Sequence, residues 1–526
     1  MTGHALTNAE SFFEAHKTAY PKSTLPPLLQ LDKRSGLDAS KGAQDRLSQL
    51  PIELGLKIFG ETCRDPFKAH PLSFTEAKNA ESLAFGLASV CKFWRDLAYS
   101  TPVLWTSILL NVNSVRAELN SVLCWRFDLG RKLPLSLYVH DNLPETDANN
   151  PQIKMAELIV LQQTTFLRDF ISRRINHIGT LVVHLAQPFF SAFELSRVAD
   201  PSTLVELHLH RRGEDRYYDH AMTPITFDNQ LALRKICIDS YPPEEVLIRW
   251  QDIQELKFDN IIIDDALPAL AQASQVSVMD LSLNGSHGLV RGPPLPVVMP
   301  NMKSLRIRND YTVDVFMSTC AMPSLNSLDV HDINGTGLWF SHPDFISFVG
   351  HCSSTLTGLS IGYLRDIIYE GFVSIIEHCP NLTNLDLRHY IPIDTNASRN
   401  VLHAIIKRLT LPSNQFEFDS SSNQLLSPHL QSLKVSVDFP LEWAVLVDLV
   451  ASRQTPSQAG DIKRLRNLYL HFIGDQPGFL DLSCTRRILK LQEAGCSITL
   501  DQRDNSEEPF PNFNIVRESQ KHQNLI

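Results

Sequence analysis

The sequence predicts an α/β repeat fold, in which a small helical head is followed by an irregular solenoid. Two amphipathic helical patterns within Leu50–Leu110 predict the head. Further along the chain, short segments with the spacing L-x-x-L-x-L recur roughly every 25 residues, a period typical of stacked repeats. With 526 residues, the chain is long enough for several domains or for one extended repeat array.

The head pattern begins at Pro51, because proline suits the first turn of a helix, where its missing N–H costs nothing. Glu53 adds a negative charge that the helix dipole favours there. A second apolar stripe at helical spacing runs from Leu83 to Ala98. Pro102 ends that helix, because the residue before a proline avoids the α region. We therefore expect two short helices followed by an apolar strand.

The stretch contains Leu50-Pro51, Ile58-Phe59, Val90, Cys91, Trp94, Arg95 and Leu97, followed by TPVLW. With these residues it resembles the F-box, and its TPVLW segment resembles a form that is common in mushroom-forming fungi. The insert between the two helices is longer than in a compact F-box and contains Pro66 and Pro71, which predict a loop.

The F-box resemblance implies a substrate-receptor subunit of an SCF-type ubiquitin ligase. Its helices would dock on the Skp-type adaptor of a cullin–RING ligase, the rest of the chain would hold a protein substrate, and other subunits would carry out the ubiquitin chemistry. The alternative for the helices is a head that closes only on itself. The residues assigned to the adaptor contact are Leu50, Pro51, Leu54, Ile58, Leu87, Val90, Trp94 and Leu97.

Twelve segments fit the repeat spacing, and in each one an alternating apolar pair would point inward from a strand. Helical returns are predicted at Pro343–His351 and Gly371–His378. The array resembles leucine-rich repeats, although it lacks the asparagine that usually follows the strand. The alternative is an α/β or β-rich domain whose strands happen to be evenly spaced. The second apolar positions are Leu181, Leu207, Ile236, Leu256, Leu281, Leu305, Leu328, Leu359, Leu385, Leu409, Leu433 and Leu468.

The residues that alternate with these apolar positions should form one exposed, concave face. Their mixture of acidic, basic and neutral side chains leads us to expect that this face binds a protein substrate. The candidates are Glu206, His208, Lys257, Asp280, Ser282, Arg306, Asp329, Ser360, Asp386, Lys434 and Tyr469.

The chain therefore divides into five predicted segments. These are a flexible N-terminal leader at 1–44, an F-box-like helical domain at 45–110, connecting helices and a first strand at 111–176, a leucine-rich-repeat-like domain at 177–500, and a C-terminal tail at 501–526.

Composition narrows the class of partner and the compartment. The net charge of −10 argues against a general binder of nucleic acid or of anionic membranes, because phosphate binding needs a positive field. The sequence has no secretory signal pattern and no apolar run long enough to span a membrane, so we expect a cytoplasmic or nuclear protein. The nine cysteines include no Cys-x-x-Cys pair, which predicts reduced, mostly buried thiols and no structural zinc. The sequence has no G-x-x-x-x-G-K-[ST] phosphate loop and no G-x-G-x-x-G motif opening a helix, so we expect no cofactor.

Catalytic motifs are few. Gly358–Gly362 has the form G-x-S-x-G, but Leu359 and Ile361 are apolar repeat positions, so Ser360 should lie on a strand rather than in a nucleophile elbow. The pairs His351-Cys352 and His378-Cys379 each precede a repeat strand, so we interpret them as ends of returning helices. We expect no enzymatic activity. The alternative functions are a leucine-rich-repeat interaction scaffold outside the ubiquitin system, or an enzyme that uses Ser360.

Overall fold

The computed structural model of the chain forms two compact units, Met1–Ala232 and Leu233–Ile526. The domain boundaries expected from the sequence stay predictions. The structure describes residues 54, 57, 84–89, 92–112, 119–130, 133–141, 167, 169–186, 203–212, 225–227, 232–284, 296–309, 313–332, 343–362, 369–388, 395–411, 426–437, 442–454, 462–473 and 481–503.

The first unit combines a helical head with a parallel sheet. Residues 84–89 are helical, and the short turns Pro102–Trp105 and Ile175–His177 are 3₁₀ helices. Strands β1 to β4 pair in parallel and in chain order. The elements are α1 (Lys92–Ser100), β1 (Ser107–Asn111), α2 (Leu119–Gly130), β2 (Leu135–His140), β3 (Ile178–Ala186), β4 (Glu206–Arg212) and the two-residue β5 (Ile225–Thr226).

Trp105 is the centre of the head, where it is fully buried. Its indole Nε1 donates to the Ala98 carbonyl at 2.8 Å, which satisfies the polar atom of an otherwise apolar ring. Arg95 Nε donates to the Ala88 carbonyl at 3.1 Å and so connects α1 to helix 84–89. The predicted second helix and the strand after it are confirmed where the structure describes them. The buried core of the head consists of Ala84, Ala88, Leu97, Ala98, Leu104 and Trp105.

The second unit repeats a strand followed, in most repeats, by a helix. Its ten long strands, β6, β8, β9, β11 and β13 to β18, pair in parallel and in chain order. Pro243–Glu245 and Trp250–Asp252 are 3₁₀ helices. The strands are β6 (Lys235–Asp239), β7 (Val246–Leu247), β8 (Glu255–Ile262), β9 (Val278–Asn284), β10 (Val297–Val298), β11 (Ser304–Asn309), β12 (Cys320–Ala321), β13 (Ser327–Asp332), β14 (Gly358–Gly362), β15 (Asn384–Arg388), β16 (Ser432–Val437), β17 (Asn467–Ile473) and β18 (Ser497–Arg503).

The helices of the second unit lie in a row, in which each helix from α4 to α9 contacts the next. The predicted helical returns are confirmed as α5 and α6, and none of the described helices has the length and apolar composition needed to span a membrane. The helices are α3 (Ile263–Gln272), α4 (Val313–Thr319), α5 (Pro343–Cys352), α6 (Tyr369–Glu377), α7 (Thr395–Leu409), α8 (Trp443–Gln454) and α9 (Leu482–Glu493).

Two apolar ladders run across the strands of the second unit. Alternating residues within each strand are buried, and the strand register places equivalent residues side by side. The first ladder is Ile236, Leu256, Met279, Leu305, Leu328, Leu359, Leu385, Leu433, Leu468 and Ile498, and the second is Ile238, Phe258, Leu281, Ile307, Val330, Ile361, Leu387, Val435, Leu470 and Leu500.

Two of the twelve predicted repeat positions are wrong. Leu409 ends helix α7 rather than lying on a strand, because Leu402, Ile405 and Leu409 form a buried helical face whose spacing partly matches the repeat pattern. Leu281 belongs to the second ladder, since Leu305 pairs with Met279 instead.

Arg453 on α8 is a buried cation that joins two distant parts of the second unit. Its guanidinium donates to the carbonyls of Leu409 at 2.9 Å, Ser427 at 3.1 Å and Leu426 at 3.0 Å. Burial lowers the pKa of Arg453 to about 10, so the side chain stays charged at neutral pH. These bonds hold the end of α7 and the approach to β16 against α8.

Arg453→Met should lower the free energy of unfolding by about 3–5 kcal/mol, because three buried carbonyls lose a charged donor. Urea unfolding followed by circular dichroism measures this change. Arg487→Met is the matched control, since Arg487 on α9 is 40% exposed and contacts the exposed Asp448. The control should cost at most about 1 kcal/mol. Equal losses in the two variants would contradict the structural role of Arg453.

Candidate partner-binding surface

Eight of the nine predicted face residues of the second unit lie side by side in one row. They alternate with the buried ladder residues, so they lie on the opposite face of the sheet. Each is paired in register with the next, from β8 to β17. We call this set the first polar row: Lys257, Asp280, Arg306, Asp329, Ser360, Asp386, Lys434 and Tyr469.

A second polar row lies two residues further along each strand. Of its members, the sequence analysis proposed only Ser282. Side chains alternate between the two faces of a strand, and this rule, which identified the first row, also identifies the other members of the second row. The register aligns them from β9 to β17. The second polar row is Ser282, Arg308, His331, Gly362, Arg388, Ser436 and His471.

Ion pairs connect the two rows near β8 to β11. Lys257 Nζ lies 3.2 Å from Asp259 Oδ2. Arg308 Nη2 donates to Asp280 Oδ1 at 3.1 Å and lies 3.9 Å from Asp259 Oδ2. Arg306 Nη1 lies 4.0 Å from Asp280 Oδ2. Each carboxylate in this part of the surface therefore has two cationic neighbours.

The contacts continue in the middle of the surface, over β13 to β15. Arg306 Nε donates to Asp329 Oδ2 at 2.9 Å. His331 Nε2 lies 2.8 Å from Asp329 Oδ1, but the angle of this contact is too bent for a regular hydrogen bond. The same nitrogen lies 3.1 Å from Arg388 Nη1. Gly362 makes this crossing possible, because a Cβ at that position would lie 2.5 Å from the His331 ring. A side chain on β14 would thus separate His331 from Arg388.

At β15 to β17 the network ends in aromatic rings. Arg388 donates to Asp386 Oδ2 through Nε at 2.9 Å and Nη2 at 2.7 Å. Lys434 Nζ lies 3.4 Å from the same carboxylate and 5.6 Å from the centre of the Tyr469 ring. Tyr469 stacks on His471 with ring centres 6.4 Å apart. This end of the surface offers a partner the exposed end of Lys434 and part of the half-buried Tyr469 ring, whereas His471 beneath it is buried.

Along this surface the cations are more exposed to solvent than the carboxylates they pair with. Arg306 is 51% exposed, whereas the side chain of its partner Asp329 is 13% exposed. Lys434 is 40% exposed and Asp386 is 18% exposed. The charges nearly balance, so the surface suits directional polar contacts with a protein more than attraction of a polyanion.

The first unit contains the two remaining face candidates, Glu206 and His208. Both lie on β4, where His208 Nε2 is 2.7 Å from Glu206 Oε1 and His208 is buried. His208 also stacks on His210, with ring centres 6.1 Å apart. These two candidates therefore form a local polar pair.

Four of the eight predicted adaptor residues are described. Leu54 is 47% exposed, Leu87 and Trp94 are half-buried against the core of the head, and Leu97 is buried within that core. Of these four residues, Leu54 therefore has the most surface available to a partner. Leu50, Pro51, Ile58 and Val90 lie outside the described residues.

The structure places the three residues that suggested catalysis, Ser360, Cys352 and Cys379, in positions that do not favour it. Ser360 lies in the middle of β14 between Asp329 and Asp386, not in a strand-to-helix turn. Cys352 ends α5, and its thiol donates to the Met322 carbonyl at 3.2 Å. Cys379 follows α6, and burial raises the pKa of both thiols to about 12. Such thiols are poor nucleophiles, because the reactive form is the thiolate.

No protein-family model matches the chain, and no curated protein is significantly similar to it.

Asp329 should make the stability of the second unit depend on pH. Burial alone would raise its pKa, but His331 and Arg388 outweigh burial and hold the pKa well below its usual range. A carboxyl with a depressed native pKa stabilises the fold above its unfolded pKa, about 3.9. That contribution is lost as the pH falls through the native pKa.

We therefore expect Asp329→Asn to cost more stability at pH 6 than at a pH below about 3. Urea unfolding of both proteins across this range measures the difference. Asp252→Asn is the control, because Asp252 is 42% exposed and its ion-pair partner among the described residues is the neighbouring Arg249. A cost for Asp329→Asn that does not change with pH would contradict the ion-pair assignment.

Proposed function

We propose that the chain is a substrate-receptor subunit of an SCF-type ubiquitin ligase, acting in the cytoplasm or nucleus. In this proposal the F-box-like head binds a Skp-type adaptor, and through it a cullin–RING ligase. The leucine-rich-repeat-like sheet binds a protein substrate. The chain itself carries out no chemistry.

The observation that carries the substrate-binding half is the pair of polar rows. At least eight strands contribute one side chain each to the first row, in register, which creates a long ordered surface. Protein interfaces use such charged and aromatic groups for specificity and for correct orientation. A surface of this length fits a protein partner better than a small molecule.

The adaptor half rests on the sequence pattern of the head. Two observations in the fold support it. Leu54 is 47% exposed, and Leu87 and Trp94 are half-buried against the core of the head, so each leaves apolar area accessible. Burial of large apolar side chains contributes about 1.5–3 kcal/mol each to an interface. The second candidate function, an interaction scaffold outside the ubiquitin system, uses the same polar rows without the adaptor.

The first test is a pull-down with a purified Skp-type adaptor. We expect the wild type to bind, and the Leu50→Ala, Pro51→Ala double variant to lose binding. Leu54→Ala should weaken binding without changing thermal unfolding, because the residue is already exposed. Val103→Ala is the control, since Val103 is similarly exposed at 50%. A folded wild type that does not bind would favour the scaffold function.

The second test addresses the polar rows. Arg306→Glu should abolish capture of the substrate while the adaptor remains bound, because the change places a third negative charge beside Asp280 and Asp329. Quantitative mass spectrometry of captured proteins compares it with Arg249→Glu, an exposed position outside the rows. Circular dichroism checks that both variants fold. Identical sets of captured proteins would exclude the rows as the substrate surface.

A further inference from the structure

A cleft of about 500 Å³ opens at the edge of the second unit where strands β16 to β18 begin. Its walls come from the residue before β16, the end of α8, the segment before β17 and the turn between α9 and β18. Gly495 in that turn has a φ of +91° and faces open space, so no side chain fills the cleft from that wall. The lining includes Gln431, Gln454, Lys463, Arg464, Arg466, Asn467, Gly495 and Ser497.

Hydrogen bonds fix the basic segment of this cleft. The Lys463 amide donates to the Pro428 carbonyl at 3.0 Å, and the Arg466 amide donates to the Gln431 carbonyl at 2.8 Å. The side chain of Gln454 donates to the carbonyl of Leu465 between them. The backbone that carries the three cations is thus held in one position before any ligand binds, which lowers the entropic cost of binding.

The cations of the cleft have no carboxylate partner within the described ranges. Lys463, Arg464 and Arg466 are exposed, and none of them forms an ion pair with a carboxylate in the part of the chain that the structure describes. The lining contains no acidic residue. This differs from the polar rows, where each arginine is paired. It is also unusual in a chain with a net charge of −10.

We propose that this basic cleft binds a small phosphate-bearing molecule. Two arginine guanidinium groups can each form paired hydrogen bonds to phosphate oxygens, and a lysine adds a point charge. Three positive charges exceed what one carboxylate would need but match a phosphate dianion or diphosphate. Asn467 and Ser497 add neutral donors, and the volume lies in the range of small-molecule sites.

The experiment measures the binding of inorganic pyrophosphate to the full chain by isothermal titration calorimetry. The salt concentration is roughly 150 mM, where exposed charges are well screened. We expect saturable binding with one site per chain. Arg464→Glu should weaken it at least about tenfold, the range expected when a charged contact is replaced by a repulsive one. Circular dichroism establishes that the variant is folded.

Arg486→Glu is the matched control, because Arg486 is exposed on α9 outside the cleft and the change in net charge is the same. Its affinity for pyrophosphate should equal that of the wild type. The proposal is overturned if the wild type shows no saturable binding, if Arg464→Glu binds as well as the wild type, or if both variants lose affinity equally. The last result would indicate a general charge effect.

Discussion

The parallel strand register is the constraint on which the rest of the structure depends. Within each of the ten long strands of the second unit, alternate side chains are buried in the two apolar ladders. A slip of one residue would turn a whole strand's apolar side chains to the outer face, at about 1.5–3 kcal/mol for each large side chain. The register is therefore set by burial, and the polar rows inherit their alignment from it. An ordered outer surface needs no separate source of order.

The same constraint explains why the outer charges are paired. Asp329 and Asp386 are partly buried, and a partly buried carboxylate without a cationic partner would lower the stability of the fold. Because residues in one row lie on neighbouring strands, a cation on the next strand can be that partner. The arginines and Lys434 reduce that cost while their own ends reach solvent. The carboxylates thus fix the cations, and the cations form the outermost layer. A partner meets positions and directions of charge rather than a net field, which favours selectivity over long-range attraction.

The sequence predicted the repeat architecture and the first polar row because both follow from a period of two within strands and a recurring apolar motif. It could not separate Leu409 from a strand position, since a helix with buried residues at Leu402, Ile405 and Leu409 also contains the L-x-x-L spacing. Arg453 was not predicted either, because its three carbonyl partners lie far from it in the sequence. Gly362 looked like part of a catalytic motif, and only the register shows that it gives His331 room to reach Arg388.

The polar rows and the basic cleft solve different recognition problems within one unit. In the rows, each carboxylate is already paired with a cation, so the net charge is small and salt should change partner binding little. The affinity for a partner should therefore depend on complementary shape and hydrogen bonds. In the cleft, Lys463, Arg464 and Arg466 have no carboxylate partner among the described residues, and a bound anion would supply the balancing charge. The cleft segment leads directly into β17, whose Tyr469 and His471 belong to the polar rows. An anion bound in the cleft would therefore lie next to the same strand that carries the aromatic end of the partner surface.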